Sequence, residues 1–238
     1  MGCYSMGESL NDTSKPVYYQ ILDFGHCATM ASEKIIPVTI VAGFLGAGKT
    51  SLINHLLQDD CFQCQAVLVN DFGAEKLDTH LIAPDGMVHL LHGCICCSSR
   101  LALQNAIKQL TAITPPLERI LIEASGVADP GEIAKALKIP ELKTRIAVQK
   151  IITIVAAEQI LNLRGEMAQL AKTQLAAADW IIVNKVDLVS EGQLNRVVGW
   201  IRALVANVPI IPATHSRVSR MDALKIETFE KESCSGAK

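Results

Sequence analysis

Apolar positions along the chain fall into two patterns that take turns. Short, continuous Val/Ile/Leu runs occur at "IPVTIVAG" (36–43), "QAVLVND" (65–71), "RILIEAS" (119–125), "AVQKIITIVAA" (147–157), "DWIIVNK" (179–185) and "VPIIPA" (208–213). Runs without polar alternation predict strands covered on both faces. Between them, apolar residues at helical spacing predict helices from Lys49 to about 58, over 98–112, from Pro130, over 164–177 and over 191–206. Strands and helices in strict alternation predict an α/β fold, with a doubly wound, mostly parallel sheet and helices on both faces. Residues 1–34 show no such periodicity and are expected to form a poorly structured N-terminal extension. Residues 219–238 are polar and small and are expected to form a loose tail, leaving 35–218 as the folded domain.

Composition narrows the function classes. The chain has 238 residues, half of them apolar, enough for one sizeable α/β core. A net charge of −2 and 4% aromatics argue against a nucleic-acid partner, which calls for a basic surface or stacking platforms. No apolar run approaches the roughly 18 residues of a membrane span. The start, "MGCYSMGESL", has no basic stretch followed by an apolar one, so it lacks the form of a secretory signal. The expected location is cytoplasmic, where the eight cysteines read as thiols or metal ligands rather than disulfides.

The first strand runs into "GFLGAGKT" (43–50), which matches G-x-x-x-x-G-K-[ST] between a strand and a helix. This context gives the predicted fold its P-loop NTPase type. Glycines let such a loop wrap tightly, so that backbone N–H groups and a helix N-terminus face phosphates. Gly43, Gly46, Ala47, Gly48, Lys49, Thr50 and Ser51 are the predicted nucleotide-contacting segment. Lys49 would reach the β/γ-phosphates and Thr50 would hold Mg²⁺.

"NKVD" (184–187) follows the buried strand "WIIV". A carboxylate at Asp187 would accept hydrogen bonds from N1–H and the exocyclic amine of guanine, donors that adenine lacks as a pair. Asn184, Lys185 and Asp187 are therefore predicted to select GTP. "ATHSR" (213–217), after the last strand, stands where a final loop would close over the base. In "ILIEASGVADP" (120–130), Glu123 ends a strand beside the phosphate loop and would meet Mg²⁺, directly or through water. Gly126 would offer its N–H to the γ-phosphate, and Asp71 of "NDFGAE" would complete the Mg²⁺ sphere. No residue stands out as the group that positions the attacking water.

"LLHGCICCSSR" (90–100) places three cysteines within four positions. Those letters alone leave open a metal site, a redox pair at Cys94 and Cys97, or inert thiols. Three thiolates at Cys94, Cys96 and Cys97 would make a soft site suited to Zn²⁺ or Cu(I), with His92 the nearest candidate for a fourth ligand. "CFQC" (61–64) has ligand-like spacing without a matching pair and reads as two ordinary thiols, and His55 as a packed or surface side chain.

Taken in order, "GFLGAGKT", "GCICC", "IEASGVADP" and "NKVD" resemble the CobW-like GTPases over roughly 35–218. This family includes zinc metallochaperones and nitrile hydratase activators, and is related to the urease and hydrogenase nickel-maturation GTPases. The resemblance implies slow GTP hydrolysis, with Lys49, Glu123 and Gly126 as the catalytic group. It also implies delivery of Zn²⁺, Co²⁺ or a similar ion from the cysteine motif to a client metalloprotein, and by analogy a GTP-dependent homodimer. Two alternatives remain: a metal-storing or metal-sensing module that holds nucleotide without turnover, and a GTPase regulated by thiol oxidation. The chain departs from the family pattern at Ala156, where an aspartate is common, and at His92, where asparagine is usual. The family's second, C-terminal domain does not follow in the sequence.

Overall fold

The computed structural model describes residues 20–23, 35–57, 64–69, 100–112 and 117–218. Its strands are β1 (Gln20–Asp23), β2 (Ile36–Ala42), β3 (Cys64–Val69), β4 (Arg119–Glu123), β5 (Ile146–Ala156), β6 (Trp180–Asn184) and β7 (Ile210–Pro212). They form one sheet in the order β1-β3-β4-β2-β5-β6-β7. Every pairing among β2 to β7 is parallel, whereas β1 runs antiparallel along the β3 edge. The stretch expected to be an extension thus contributes one edge strand, and its residues 1–19 and 24–34 lie outside the described residues.

The helices are α1 (Lys49–Leu57), α2 (Arg100–Leu110), α3 (Pro130–Leu137), α4 (Pro140–Lys143), α5 (Gly165–Ala176) and α6 (Glu191–Leu204). Among the helical elements of the described residues, only α4 and two 3₁₀ turns, Ile160–Asn162 and Val186–Leu188, were not anticipated from periodicity. Local sequence explains where helices start. Asp129 caps α3 by accepting from the Gly131 N–H at 2.8 Å, with Pro130 at the first helical position. Ser190 and Gln193 form a capping box at α6, each side chain satisfying the other's backbone N–H.

Strand alternation sorts the core into two layers. Val41, Leu121, Ile152, Ile154 and Ile182 face Leu52, Ile53 and Leu56 of α1. On the other face, Ile40 and Ile122 pack with Leu103 and Ile107 of α2 and Ile133 and Leu137 of α3. Further along that face, Val155, Ile181 and Val183 meet Leu175 of α5 and Ile201 of α6. A one-residue irregularity at Gln149 lets Val38 and Thr39 pair with Val148 and Lys150. It flips the alternation of β5, so that Ile152 and Ile154 point at α1.

Arg119 opens β4 and is 2% exposed on the α1 face. Its guanidinium donates to the Leu56 carbonyl at 3.0 Å and to Gln65 Oε1 at 2.7 Å. A cation at the C-terminal end of α1 meets both an orphan carbonyl and the negative end of the helix dipole. Replacing Arg119 by Met keeps apolar volume and strands the buried carbonyl and amide. The expected loss is about 2 kcal/mol, or roughly 5 °C in Tm. Thermal unfolding followed by circular dichroism checks this, and an unchanged Tm would show that the clamp contributes nothing.

Candidate nucleotide site

Three segments meet at the C-terminal edge of the sheet, around the ends of β2 and β5. Here the chain leaves β2 towards β3 and leaves β5 towards β6, on opposite sides. Such a reversal opens a crevice where open α/β sheets bind ligands.

The first segment is the loop 43–50. Gly43 has φ +140°, and a Cβ there would collide with the Ile154 carbonyl of β5. Gly48 has φ +108°, and a Cβ would strike Ser216 and Asn184. No side chain fits either position, because both the backbone angle and the approach of neighbouring atoms forbid it. The buried Lys49 folds back over the loop, its Nζ donating to the Phe44 carbonyl at 3.3 Å. Thr50 Oγ1 donates to Glu123 Oε1 at 2.7 Å. Glu123 ends β4 and is only 6% exposed, so a carboxylate sits in the wall of the loop. With its proton directed at Glu123, the Thr50 oxygen keeps its lone pairs for a hard cation.

The second segment is 184–187 together with 213–217. Asn184, at the end of β6, is 2% exposed and uses both ends of its carboxamide. Its Nδ2 donates to the Ala47 carbonyl at 2.8 Å and to Ser216 Oγ at 2.9 Å. Its Oδ1 accepts from the Ser216 N–H at 2.7 Å, and Ser216 Oγ donates onward to the Gly48 carbonyl at 3.0 Å. His215 and Ser216 both take left-handed backbone angles, φ +51° and +60°, which turn Ser216 inward. Lys185 is also left-handed, at φ +59°, and its Nζ pairs with Glu158 Oε1 at 2.8 Å. Asp187 lies in the turn Val186–Leu188, exposed, with no hydrogen-bond partner among the described residues.

The third segment, 124–129, leaves β4. The Ala124 N–H donates to the Val41 carbonyl at 2.8 Å, holding the loop at the end of β2. Gly126 is buried, and a Cβ on it would come within 2.6 Å of the Leu45 side chain. This strand exit therefore packs directly on the phosphate-type loop.

Of the predicted site residues, Gly43, Gly46, Ala47, Gly48, Lys49, Thr50, Glu123, Gly126 and Asn184 come together at this edge. Lys185 and Asp187 follow directly, and Ser51 is exposed on the first turn of α1. Asp71, His92, Cys94, Cys96 and Cys97 lie outside the described residues. Among those that are described, no three His, Cys, Asp or Glu side chains cluster as a metal site. The sequence pointed to 213–217 as a closing loop without singling out Ser216, and gave no hint of Glu158.

The model of the CobW/HypB/UreG nucleotide-binding domain matches residues 37–212. The zinc chaperone CobW of Pseudomonas aeruginosa is 32% identical over 216 residues, covering 77% of this chain and 58% of that protein. The zinc-regulated GTPase metalloprotein activator 1 of Schizosaccharomyces pombe is 32% identical over 213 residues, covering 84% of this chain and 51% of that protein. The chain thus spans little more than half the length of these relatives. Among solved structures, the Zn(II)-bound YjiA GTPase from Escherichia coli aligns with TM-score 0.53 and 26% identity, over 74% of this chain and 57% of that one. HypB from Helicobacter pylori, in complex with nickel, shares the fold at TM-score 0.52 and 16% identity, over 87% of this chain and 92% of that one. The chain belongs to the CobW/HypB/UreG family, through its nucleotide-binding domain.

Proposed function

We propose that this chain is a cytoplasmic GTP-binding metallochaperone that hydrolyses GTP slowly and delivers Zn²⁺, or a similar ion such as Co²⁺, to a client metalloprotein. The observation that carries this reading is the knot around Asn184, which joins a phosphate-type loop to a guanine-type motif through Ala47 and Ser216. The family match and the zinc-related relatives support its metal half.

In this reading, the phosphates lie against the backbone of 43–48 and the N-terminus of α1. Lys49 exchanges the Phe44 carbonyl for the β/γ-phosphates. Thr50 and Glu123 suit Mg²⁺ as hard oxygen donors, with Asp71 as a further ligand, and bound Mg²⁺ supplies neutralisation of phosphate charge. Gly126 turns its N–H to the γ-phosphate. Asp187 receives guanine, and Lys185, pinned by Glu158, flanks the base. Cys94, Cys96 and Cys97 hold the transported metal. Water or a client side chain in the fourth position leaves the site open enough to release its cargo, whereas His92 there would close it and keep the metal. The cysteines lie in the chain between Asp71 and Glu123, so ordering of both acids around Mg²⁺ is the proposed route by which nucleotide and transported metal are coupled.

Asp187→Ala removes both acceptors for guanine. GTP affinity is expected to fall about 100-fold while ATP binding stays weak and unchanged. Competition binding with the two nucleotides measures it, and a retained preference for GTP would sink the base assignment. For the metal, Cys96→Ala in the reduced chain should lower Zn²⁺ affinity at least about tenfold against a chromophoric chelator. Saturating Zn²⁺ should shift GTP affinity by the same factor that GTP shifts Zn²⁺ affinity, because linkage is reciprocal. Unaltered Zn²⁺ binding in Cys96→Ala would remove the cysteine site, and equal GTP affinity with and without Zn²⁺ would remove the coupling.

A further inference from the structure

Among the buried residues of α5 is one with a polar side chain: Gln174, 1% exposed. A buried primary amide is costly unless its hydrogens find acceptors. Those of Gln174 point at two backbone carbonyls of one loop: Nε2 donates to Gly126 O at 3.2 Å and to Ala128 O at 3.0 Å. The helix is held at the same residue, since Thr153 Oγ1 of β5 donates to the Gln174 carbonyl at 2.9 Å. The loop leaving β4 is therefore gripped from two sides, by Leu45 of the phosphate-type loop and by Gln174.

Inside the loop, Ser125 takes the neighbouring amides. Its carbonyl accepts from Ala128 N at 3.0 Å and its hydroxyl from Val127 N at 3.4 Å. The N–H of the buried Gly126 meets no acceptor among the described residues. Anchoring the carbonyls of 126 and 128 fixes the peptide planes on either side of Val127–Ala128. That in turn fixes where Gly126 rests against Leu45.

We propose that Gln174 is a positioning residue for the terminal phosphate: its amide holds Gly126 against the phosphate loop, so that discrimination of GTP from GDP depends on α5. This rests on the reading above, in which the Gly126 N–H meets the γ-phosphate. GDP has no such phosphate and is indifferent to the clamp. A ligand favours one arrangement only through contacts that differ between arrangements, and the γ-phosphate is the group that senses this one.

The test uses the full chain with Mg²⁺, titrated with GDP and with a non-hydrolysable GTP analogue. Gln174→Met keeps length and helix propensity but removes both donors. Affinity for the analogue is expected to fall about tenfold, with GDP affinity held within about twofold. Thr153→Val, which loosens the same helix residue without touching the clamp, should lower Tm and leave the GTP/GDP ratio unchanged. Should Gln174→Met not fold, Gln174→Asn keeps an amide one methylene too short, and is expected to lose about threefold in the same ratio. Equal weakening of both nucleotides, or an unchanged ratio, overturns the proposal. A wild-type chain that binds neither nucleotide defeats the nucleotide reading itself and the proposal with it.

Discussion

The arrangement at the sheet edge depends on one side-chain amide. Asn184 donates and accepts at once, and both functions are used: the amide nitrogen holds the Ala47 carbonyl and the Ser216 hydroxyl, and the amide oxygen holds the Ser216 N–H. An aspartate there would offer only acceptors and would set a buried charge against the Ala47 carbonyl. Within the tightly wrapped loop the Ala47 N–H closes on the Phe44 carbonyl at 3.2 Å, but the Ala47 carbonyl has no such partner in the loop itself. Asn184 satisfies it from outside, and Ser216 adds a second bond to the Gly48 carbonyl, which also accepts from the Leu52 N–H at 2.9 Å. The absence of side chains at Gly43 and Gly48 is the complement of that device, because it lets β5, Asn184 and Ser216 approach the loop.

Strand β4 performs a matching task for α1. Residues 119, 121 and 123 alternate onto one face, and Leu121 packs in the same cluster as Leu52 and Leu56 of that helix. Arg119 reaches the Leu56 carbonyl near the C-terminal end, while Glu123 accepts from Thr50 at the N-terminal end. Each charge stands at the end of the helix whose dipole favours it. The strand that holds the helix therefore also supplies the acid of the site, so the position of Glu123 follows from the core and not from a loop. Gln174 extends the same economy to the opposite face, where α5 grips the loop that follows Glu123.

Much of this was legible in the sequence. Each of the six continuous apolar runs contains a strand; central strands buried on both faces need no alternation, as β5 shows over Ile151–Ala156, whereas the edge strand β7 leaves Pro212 exposed. "GFLGAGKT" and "NKVD" stood out by residue type and spacing, and the structure brings Asn184 of the second against Ala47 of the first. What stayed hidden were contacts between elements far apart in the chain. Ser216 is an ordinary loop serine until two left-handed residues turn it onto Asn184, 32 positions earlier. Gln174 reads as part of the polar side of "AKTQLAAAD", and only the packing of α5 on the sheet puts it in the core. Glu158 is one more acid after a strand until Lys185 adopts a backbone angle that brings its ammonium across. The strand at Gln20–Asp23 had no periodic cue, since four edge residues are too few to carry one.

The most direct measurement is a double-mutant cycle on the pair at the centre of the site. Asn184→Ala, Ser216→Ala and the double variant would each be titrated with GDP, with thermal unfolding recorded alongside. Residues joined in one hydrogen-bond network share their loss, so the double variant is expected to bind GDP no more weakly than Asn184→Ala alone, to within about a factor of two. Losses that simply multiply would mean that Asn184 and Ser216 act independently, contradicting a single knot between the loop 43–50 and the segments 184–187 and 213–217.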